Sequence, residues 1–73
     1  MKRYAIIIER GENNMSAYVP DLPGCITTGT TLAEVETNIR EAIELHLAGM
    51  REDGETIPEP ATSVGYVELR DVA

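Results

Sequence analysis

The chain contains no tryptophan, no phenylalanine and only one cysteine, Cys25. A lone cysteine excludes an internal disulfide and a cysteine-rich zinc site. Long apolar runs are absent too: residues 5–8 form the longest one, whereas a membrane span needs about 20 residues. Glu9 and Arg10 end that run too early for a signal peptide. These absences predict a cytoplasmic protein with an aliphatic core.

Positive charge is scarce as well. Six basic residues face 13 acidic ones, which gives a formal net charge of −7. Lys2, Arg3 and Arg10 against Glu9 give residues 1–10 a charge of +2, so residues 11–73 carry −9. This charge repels phosphate backbones and predicts no direct contact with nucleic acid. A chain of 73 residues is expected to form one small domain with a marginal core.

Three short segments rich in β-branched or alternating apolar residues come first in the chain. They predict strands at residues 4–9, 15–19 and 25–28. A turn at residues 11–14 and a loop at residues 20–24 separate them, because glycine, asparagine and proline favour such bends. The first strand is apolar on both faces over its middle, which is typical of a central strand covered on each side.

A long helix from Leu32 to Asp53 gives the strongest pattern. Apolar residues recur along this segment at helical spacing and share one face. Thr31 and Glu34 have the spacing of a capping box at the start of the helix. Gly54 suits a left-handed cap at its end.

A last strand is predicted at residues 63–69, after the proline-containing connector at residues 57–60. The element order β-β-β-α-β places residues 1–73 in the α+β class as a single domain. One helix can cover only one face of the sheet, and the chain offers nothing to cover the other. We therefore expect self-association into a homodimer or a higher homo-oligomer, or a protein partner.

Few residues occur in a sequence pattern typical of a catalytic or metal-binding site. His46, the only histidine, could be a general base or a metal ligand, but no second ligand stands at usable spacing, which favours a packing role. Cys25 could be a nucleophile, yet no signature links it to a base, so a buried small side chain explains it. The carboxylates do not cluster as a two-metal site requires. We predict no catalytic residue, no metal site and no cofactor.

The segment Val19-Pro20-Asp21-Leu22-Pro23-Gly24-Cys25, with Gly29-Thr30-Thr31 and the later Ile57-Pro58-Glu59-Pro60, resembles the HicB family of antitoxins. The resemblance covers about residues 3–69. Thr30 departs from the family pattern, which usually has an acidic residue there. The resemblance implies a partial RNase H-like fold: a mixed four-stranded sheet of order 3-2-1-4, with the long helix packed on one face.

The resemblance also implies a function. HicB proteins bind and neutralise HicA, a small basic mRNA-cleaving toxin of type II toxin-antitoxin systems, and the acidic charge of this chain fits such a partner. The first strand lacks the metal-binding aspartate of RNase H enzymes, which argues against nuclease activity. We expect no C-terminal DNA-binding domain and no operator binding. Two alternatives remain: an orphan interaction module of the same fold, and a metal-dependent nuclease using Glu9 or Asp21.

Two surfaces are candidates for contact with a toxin, the loop after the second strand and the exposed face of the helix. Turn formation alone would also explain the prolines and the glycine of the loop. Leu45 lies outside the apolar face of the helix, among acidic residues. The candidate contact residues are Asp21, Leu22, Pro23, Gly24, Glu41, Glu44, Leu45 and Glu52.

Overall fold

A computed structural model describes residues 1–71. Its elements are the strands β1 (Ile7–Arg10), β2 (Met15–Tyr18) and β3 (Ile26–Gly29) and the helix α1 (Leu32–Glu52). The three predicted strands of the first half and the helix are therefore confirmed, each within a few residues of the expected bounds.

The sheet is an antiparallel meander of order β1-β2-β3. Helix α1 lies over β3 and β2. The core between the two layers is formed by the small and aliphatic side chains that are almost fully buried, namely Ala17, Val19, Leu22, Cys25, Val35 and Ile39. Alternation along β2 and the residue after it explains the burial of Ala17 and Val19, because every second residue points towards the helix, and Val35 and Ile39 lie about one helical turn apart on α1.

The loop between β2 and β3 folds back on itself. The amide of Leu22 donates to the carbonyl of Val19, and the amide of Cys25 donates to the carbonyl of Leu22. Gly24 has φ of 85°, the left-handed conformation that glycine adopts without a Cβ penalty. The turn at residues 11–14 is closed by a hydrogen bond from the amide of Gly11 to the carbonyl of Asn14 and uses no positive φ.

Both predicted helix caps form. The Thr31 hydroxyl accepts a hydrogen bond from the amide of Glu34 at 3.1 Å. The Glu34 carboxylate reaches back to the amide of Thr30 at 3.0 Å, one residue earlier than a regular capping box requires. At the other end Gly54 has φ of 71° and donates to the carbonyl of Arg51, while Glu55 donates to Met50, as in a Schellman motif.

The predicted fourth strand at residues 63–69 is wrong, and so is the mixed four-stranded sheet of order 3-2-1-4. Residues 63–71 pair with no strand of the described chain, and the side chains of Tyr66, Val67 and Leu69 are 94%, 84% and 84% exposed. The α+β class holds for residues 1–71, which form three strands and one helix. The segment is apolar enough for a strand, but pairing needs a long-range partner, which local pattern cannot supply. As a result β1 is an edge strand rather than a central one.

Candidate partner-binding surface

The outer face of α1 carries the predicted helix residues. Glu41, Leu45 and Glu52 are all exposed, and Leu45 is 75% exposed. At about 100° per residue they fall within one stripe about 40° wide, which lies about 80° to 160° around the helix from the buried Val35 and Ile39. The stripe places one large apolar side chain between two carboxylates.

A groove runs beside this stripe, between the C-terminal half of α1 and the β2–β3 loop. Pro23 forms its loop side, so the structure brings together Pro23 and Leu45, which the sequence predicted separately. The helix side and floor come from residues with helical spacing and from the segment after the helix: Leu45, His46, Gly49, Met50, Asp53 and Glu55. We call this feature the Pro23–Leu45 groove.

Gly49 lies beside open space in the groove. It lies one helical turn after Leu45, and a Cβ atom placed there would meet no other atom within 4 Å. Glycine within a helix costs about 1 kcal/mol relative to alanine. Glycine therefore lowers the stability of the helix at a position where the fold has room for a side chain.

The electrostatic setting of the groove is acidic. Asp53 and Glu55 line the groove, and Glu41 and Glu52 lie in the same stripe of the helix as Leu45. An apolar centre with a charged rim is the usual anatomy of a protein interface. Carboxylates at the rim attract a cationic surface and orient it during association.

Glu44 does not belong to this surface. It lines a second groove on the other flank of α1, together with Lys2, Tyr4, Ile6 and Ile43. That groove lies between the helix and the chain leading into β1. The predicted acidic helix face is therefore divided between two sides of the helix, with Glu44 on one and Leu45 on the other.

The predicted loop residues also separate. Leu22 is 1% exposed and belongs to the core, so it is not part of a contact surface in this fold. Pro23 and Gly24 are exposed. Asp21 holds the chain after the helix: its carboxylate accepts hydrogen bonds from the amides of Ala61 and Thr62 at 3.0 and 3.1 Å and from the Thr62 hydroxyl at 2.8 Å.

These hydrogen bonds hold the pKa of Asp21 below its ordinary value, because they favour the charged carboxylate. The bond from the Ala61 amide has the largest effect, followed by the two bonds from Thr62. Asp21 thus acts as an anchor within the chain.

The sheet face away from the helix is the third exposed apolar feature. Ile7 pairs with Tyr18 across β1 and β2, and Tyr18 pairs with Ile26 across β2 and β3. Tyr18 is 39% exposed and Ile26 is 63% exposed. The uncovered sheet face expected from the sequence therefore carries one apolar row.

Cys25 and His46 are the two residues considered for catalysis or metal binding, and they lie in the core and beside the Pro23–Leu45 groove, respectively. Burial raises the pKa of the Cys25 thiol, which lowers the fraction of reactive thiolate. His46 is half-buried and lines the Pro23–Leu45 groove. Within residues 1–71 no three His, Cys, Asp or Glu side chains are grouped to hold a metal ion. Over the same range no helix is long and apolar enough to cross a membrane.

Sequence reasoning missed part of the groove. Gly49, Met50, Asp53 and Glu55 were not among the predicted contact residues, although all line it. Gly49 and Asp53 follow Leu45 by one and two helical turns, so helical spacing from Leu45 could have identified them. The proximity of the loop could not be read from spacing, because it depends on how the loop packs on the helix.

Comparison with known proteins agrees with the family resemblance found in the sequence. A family model described as HicB-like antitoxin of bacterial toxin-antitoxin system matches residues 4–71. A solved structure, that of a HicA3 and HicB3 toxin-antitoxin complex, contains a chain that is 30% identical with a TM-score of 0.71, over 82% of this chain and 70% of that one.

Curated relatives match as well. A 14.9 kDa protein from the rep-hol intergenic region of Haemophilus phage HP1 is 45% identical over 64 residues, which is 88% of this chain and 48% of the phage protein. A UPF0150 protein of Helicobacter pylori is 45% identical over 47 residues, 64% of this chain and 65% of that protein. The chain thus spans about half the length of the phage protein and less than two thirds of the Helicobacter protein.

Proposed function

Because the chain belongs to the HicB-like antitoxin family of bacterial toxin-antitoxin systems, we propose that it binds and neutralises a small basic toxin of the HicA type. It acts by covering toxin surface in the cytoplasm, where such a toxin cleaves mRNA. The proposal requires no chemical step by this chain and no contact of its own with nucleic acid, in keeping with a net charge of −7.

The Pro23–Leu45 groove is the observation that carries the proposal. Leu45 is a large apolar side chain left exposed beside a groove that the fold itself does not fill. A leucine that enters a pocket of the partner would supply the desolvated centre of the contact. The surrounding carboxylates would meet the basic surface of the toxin and speed the encounter.

The other predicted residues take different roles in this proposal. Glu41, Glu52, Pro23 and Gly24 contribute to the contact surface, at its rim or in the loop beside it. Glu44 lies on the far flank of the helix and would contribute only to a partner that wraps around it. Asp21 acts indirectly, by holding the chain after the helix in place beside the loop.

The test is binding to a small basic protein of the HicA type, taken from beside the gene of this chain where one is encoded there. The two proteins are co-expressed, growth rescue is scored, and the affinity of the purified pair is measured by calorimetry. Leu45→Arg should weaken binding by about 30-fold, which corresponds to about 2 kcal/mol for a central contact residue. Gly49→Lys should weaken it too, because it fills the groove and places a cation against a basic partner.

Glu12→Lys is the matched control for charge. Glu12 is exposed in the β1–β2 turn, near the opposite end of the helix from the groove. Glu12→Lys therefore changes the net charge by the same amount as Glu52→Lys, but outside the groove. Glu52→Lys should weaken binding and lose salt dependence, whereas Glu12→Lys should do neither to the same extent. Equal affinity of the wild type and Leu45→Arg would exclude the groove as the contact. No complex and no growth rescue would favour an orphan interaction module of the same fold.

A further inference from the structure

The apolar face of α1 continues into the last two turns of the helix, where it is less buried. Val35 is fully buried and Ile39 is 3% exposed. At about 100° per residue, His46 and Met50 point to the same side of the helix as these two residues, yet both are only half-buried. The core-facing side of α1 therefore has an incomplete cover near its C-terminal end.

The Pro23–Leu45 groove has the geometry of a helix-packing site on this side of α1. His46, Gly49, Met50 and Asp53 line it at positions i, i+3, i+4 and i+7, and Asp53 still has helical backbone angles. Four residues at this spacing surround a hole on a helix surface, into which one side chain of a second helix packs. Gly49 deepens the hole, because a Cβ atom there would meet no other atom within 4 Å. The space over Gly49 is therefore open to a side chain of another molecule.

The backbone around the groove favours a helix over a strand as the element that docks there. On the loop side, the amides of Leu22 and Cys25 donate to carbonyls within the loop, and Pro23 has no amide hydrogen. On the other side, the amides of Gly54 and Glu55 donate back to carbonyls of α1. A segment that binds between them has to satisfy its own backbone groups, and a helix in a groove is the recognition mode that does so.

The charges of the groove indicate that this helix is basic. Asp53 and Glu55 are carboxylates that line the groove, and among the described residues no lysine or arginine lines it. The negative end of the α1 dipole adds to the attraction for a cation near Asp53. The helix of a second copy is a poor occupant, because α1 has a net charge of −3, from five glutamates against Arg40 and Arg51. Charge complementarity therefore favours a cationic helix from a different protein.

We propose that the Pro23–Leu45 groove binds an amphipathic basic helix of the partner. This helix places one large apolar side chain over Gly49 and a lysine or arginine about one turn away, beside Asp53. Leu45, one helical turn before Gly49, packs against the same partner helix. The inference rests on the proposed function, since it names the kind of element with which a HicA-type toxin enters the groove.

A size series at position 49 tests the proposal by calorimetry with the purified toxin. Gly49→Ala should weaken binding by about 3-fold and Gly49→Leu by about 30-fold, because each fills space that the partner's side chain needs. Alanine and leucine are better helix formers than glycine, so the stability of the free chain should rise while its affinity falls. Ala33→Leu is the control, because Ala33 is exposed at the other end of α1 and outside the groove. This variant should bind like the wild type.

A disulfide scan of the complex identifies the element that docks. Glu55→Cys places a thiol at the groove, whereas Cys25 is 3% exposed and stays out of reach of the partner. Single cysteines are introduced along the toxin, and crosslinking under mild oxidation is measured for each. Efficient crosslinks should recur at positions three or four residues apart, as on one face of a helix. Crosslinks at every second residue would overturn the proposal in favour of an extended segment.

The outcomes separate this inference from the proposed function. A toxin that binds the wild type and Gly49→Leu equally well would overturn the helix contact over Gly49 and leave the antitoxin role intact. Loss of both stability and affinity in Gly49→Leu would also overturn it, because the glycine would then serve the fold of this chain. A wild type that does not bind the toxin would overturn the proposed function, and this inference with it.

Discussion

Asp21 binds Thr62 through both of its carboxylate oxygens, at 3.1 Å to the backbone amide and 2.8 Å to the hydroxyl, although 41 residues separate them in the chain. The β2–β3 loop and the chain after α1 are thereby joined at the side of the sheet. This contact gives Asp21 a structural role, because it fixes residues 61 and 62 against the loop.

Low pH should weaken the hydrogen bonds from Ala61 and Thr62 to the Asp21 carboxylate. The hydrogen bonds lower the pKa of Asp21 in the folded state below the ordinary value of 3.8, so their contribution is fully present above that value. It is lost as the pH falls through the lowered folded-state pKa. In an NMR titration from pH 6 to pH 2, we expect the amide signals of Ala61 and Thr62 to move together, with a midpoint below 3.8.

Asp21→Asn is the control for that titration. The variant keeps the shape of the side chain but has no charge and one oxygen acceptor instead of two, so the amides of Ala61 and Thr62 should exchange faster at neutral pH. Their signals should show no comparable acid transition. A wild-type midpoint at or above 3.8 would contradict the proposed role of these hydrogen bonds.

Gly29 and Gly49 should respond oppositely to the same substitution. A Cβ atom at Gly29 would lie 2.9 Å from Cγ2 and 3.1 Å from the amide nitrogen of Val35, which is fully buried. Gly29→Ala should therefore destabilise the fold by about 1–3 kcal/mol through overpacking. Gly49→Ala meets open space and should stabilise it by up to about 1 kcal/mol through helix propensity.

Urea denaturation followed by circular dichroism measures both variants. The shift in midpoint should have opposite sign for the two glycines at an unchanged slope. A Gly29→Ala variant as stable as the wild type would show that the close approach of Gly29 to Val35 does not limit this fold.

The helix start gives a further prediction. Thr31→Ala removes the hydroxyl that accepts from the amide of Glu34 and should cost about 1 kcal/mol of stability. Thr30→Ala is the matched control, because its hydroxyl lies 3.4 Å from both Glu34 oxygens and its amide hydrogen bond survives the change. Thermal unfolding of the two variants should show the larger loss for Thr31→Ala, and the reverse order would assign the cap to Thr30.

The parts of the fold that were predicted correctly from sequence depend on local signals. Helix α1 begins after Thr31 and ends before Gly54 because capping chemistry acts over three or four residues. Alternation along the predicted second strand, residues 15–19, placed Ala17 and Val19 on the buried face for the same reason. Both signals lie within the residues that form the element.

The fourth strand was predicted wrongly. Its sequence pattern is as local as those of α1 and β2, but a strand also needs a pairing partner that is distant in the chain. Val64 to Leu69 has the composition of a strand, but a strand forms only where it pairs with a neighbour, and within the described residues this segment does not pair with β1. The same limit applies to the candidate surface. Sequence identified Leu45 and Pro23, but only the packing of the loop shows that they line one groove and that Leu22 is buried in the core.

Leu22 and Leu45 allow stability and binding to be separated with one type of substitution. Leu22 is 1% exposed, so Leu22→Ala should leave a cavity and destabilise the fold by about 2–5 kcal/mol. Leu45 is 75% exposed, so Leu45→Ala should change stability by less than about 0.5 kcal/mol. Binding to the proposed HicA-type toxin should show the reverse order when it is measured where both variants are folded: weaker for Leu45→Ala, nearly unchanged for Leu22→Ala. If folded Leu22→Ala lost as much affinity as Leu45→Ala, the loop rather than the helix stripe would hold the centre of the contact.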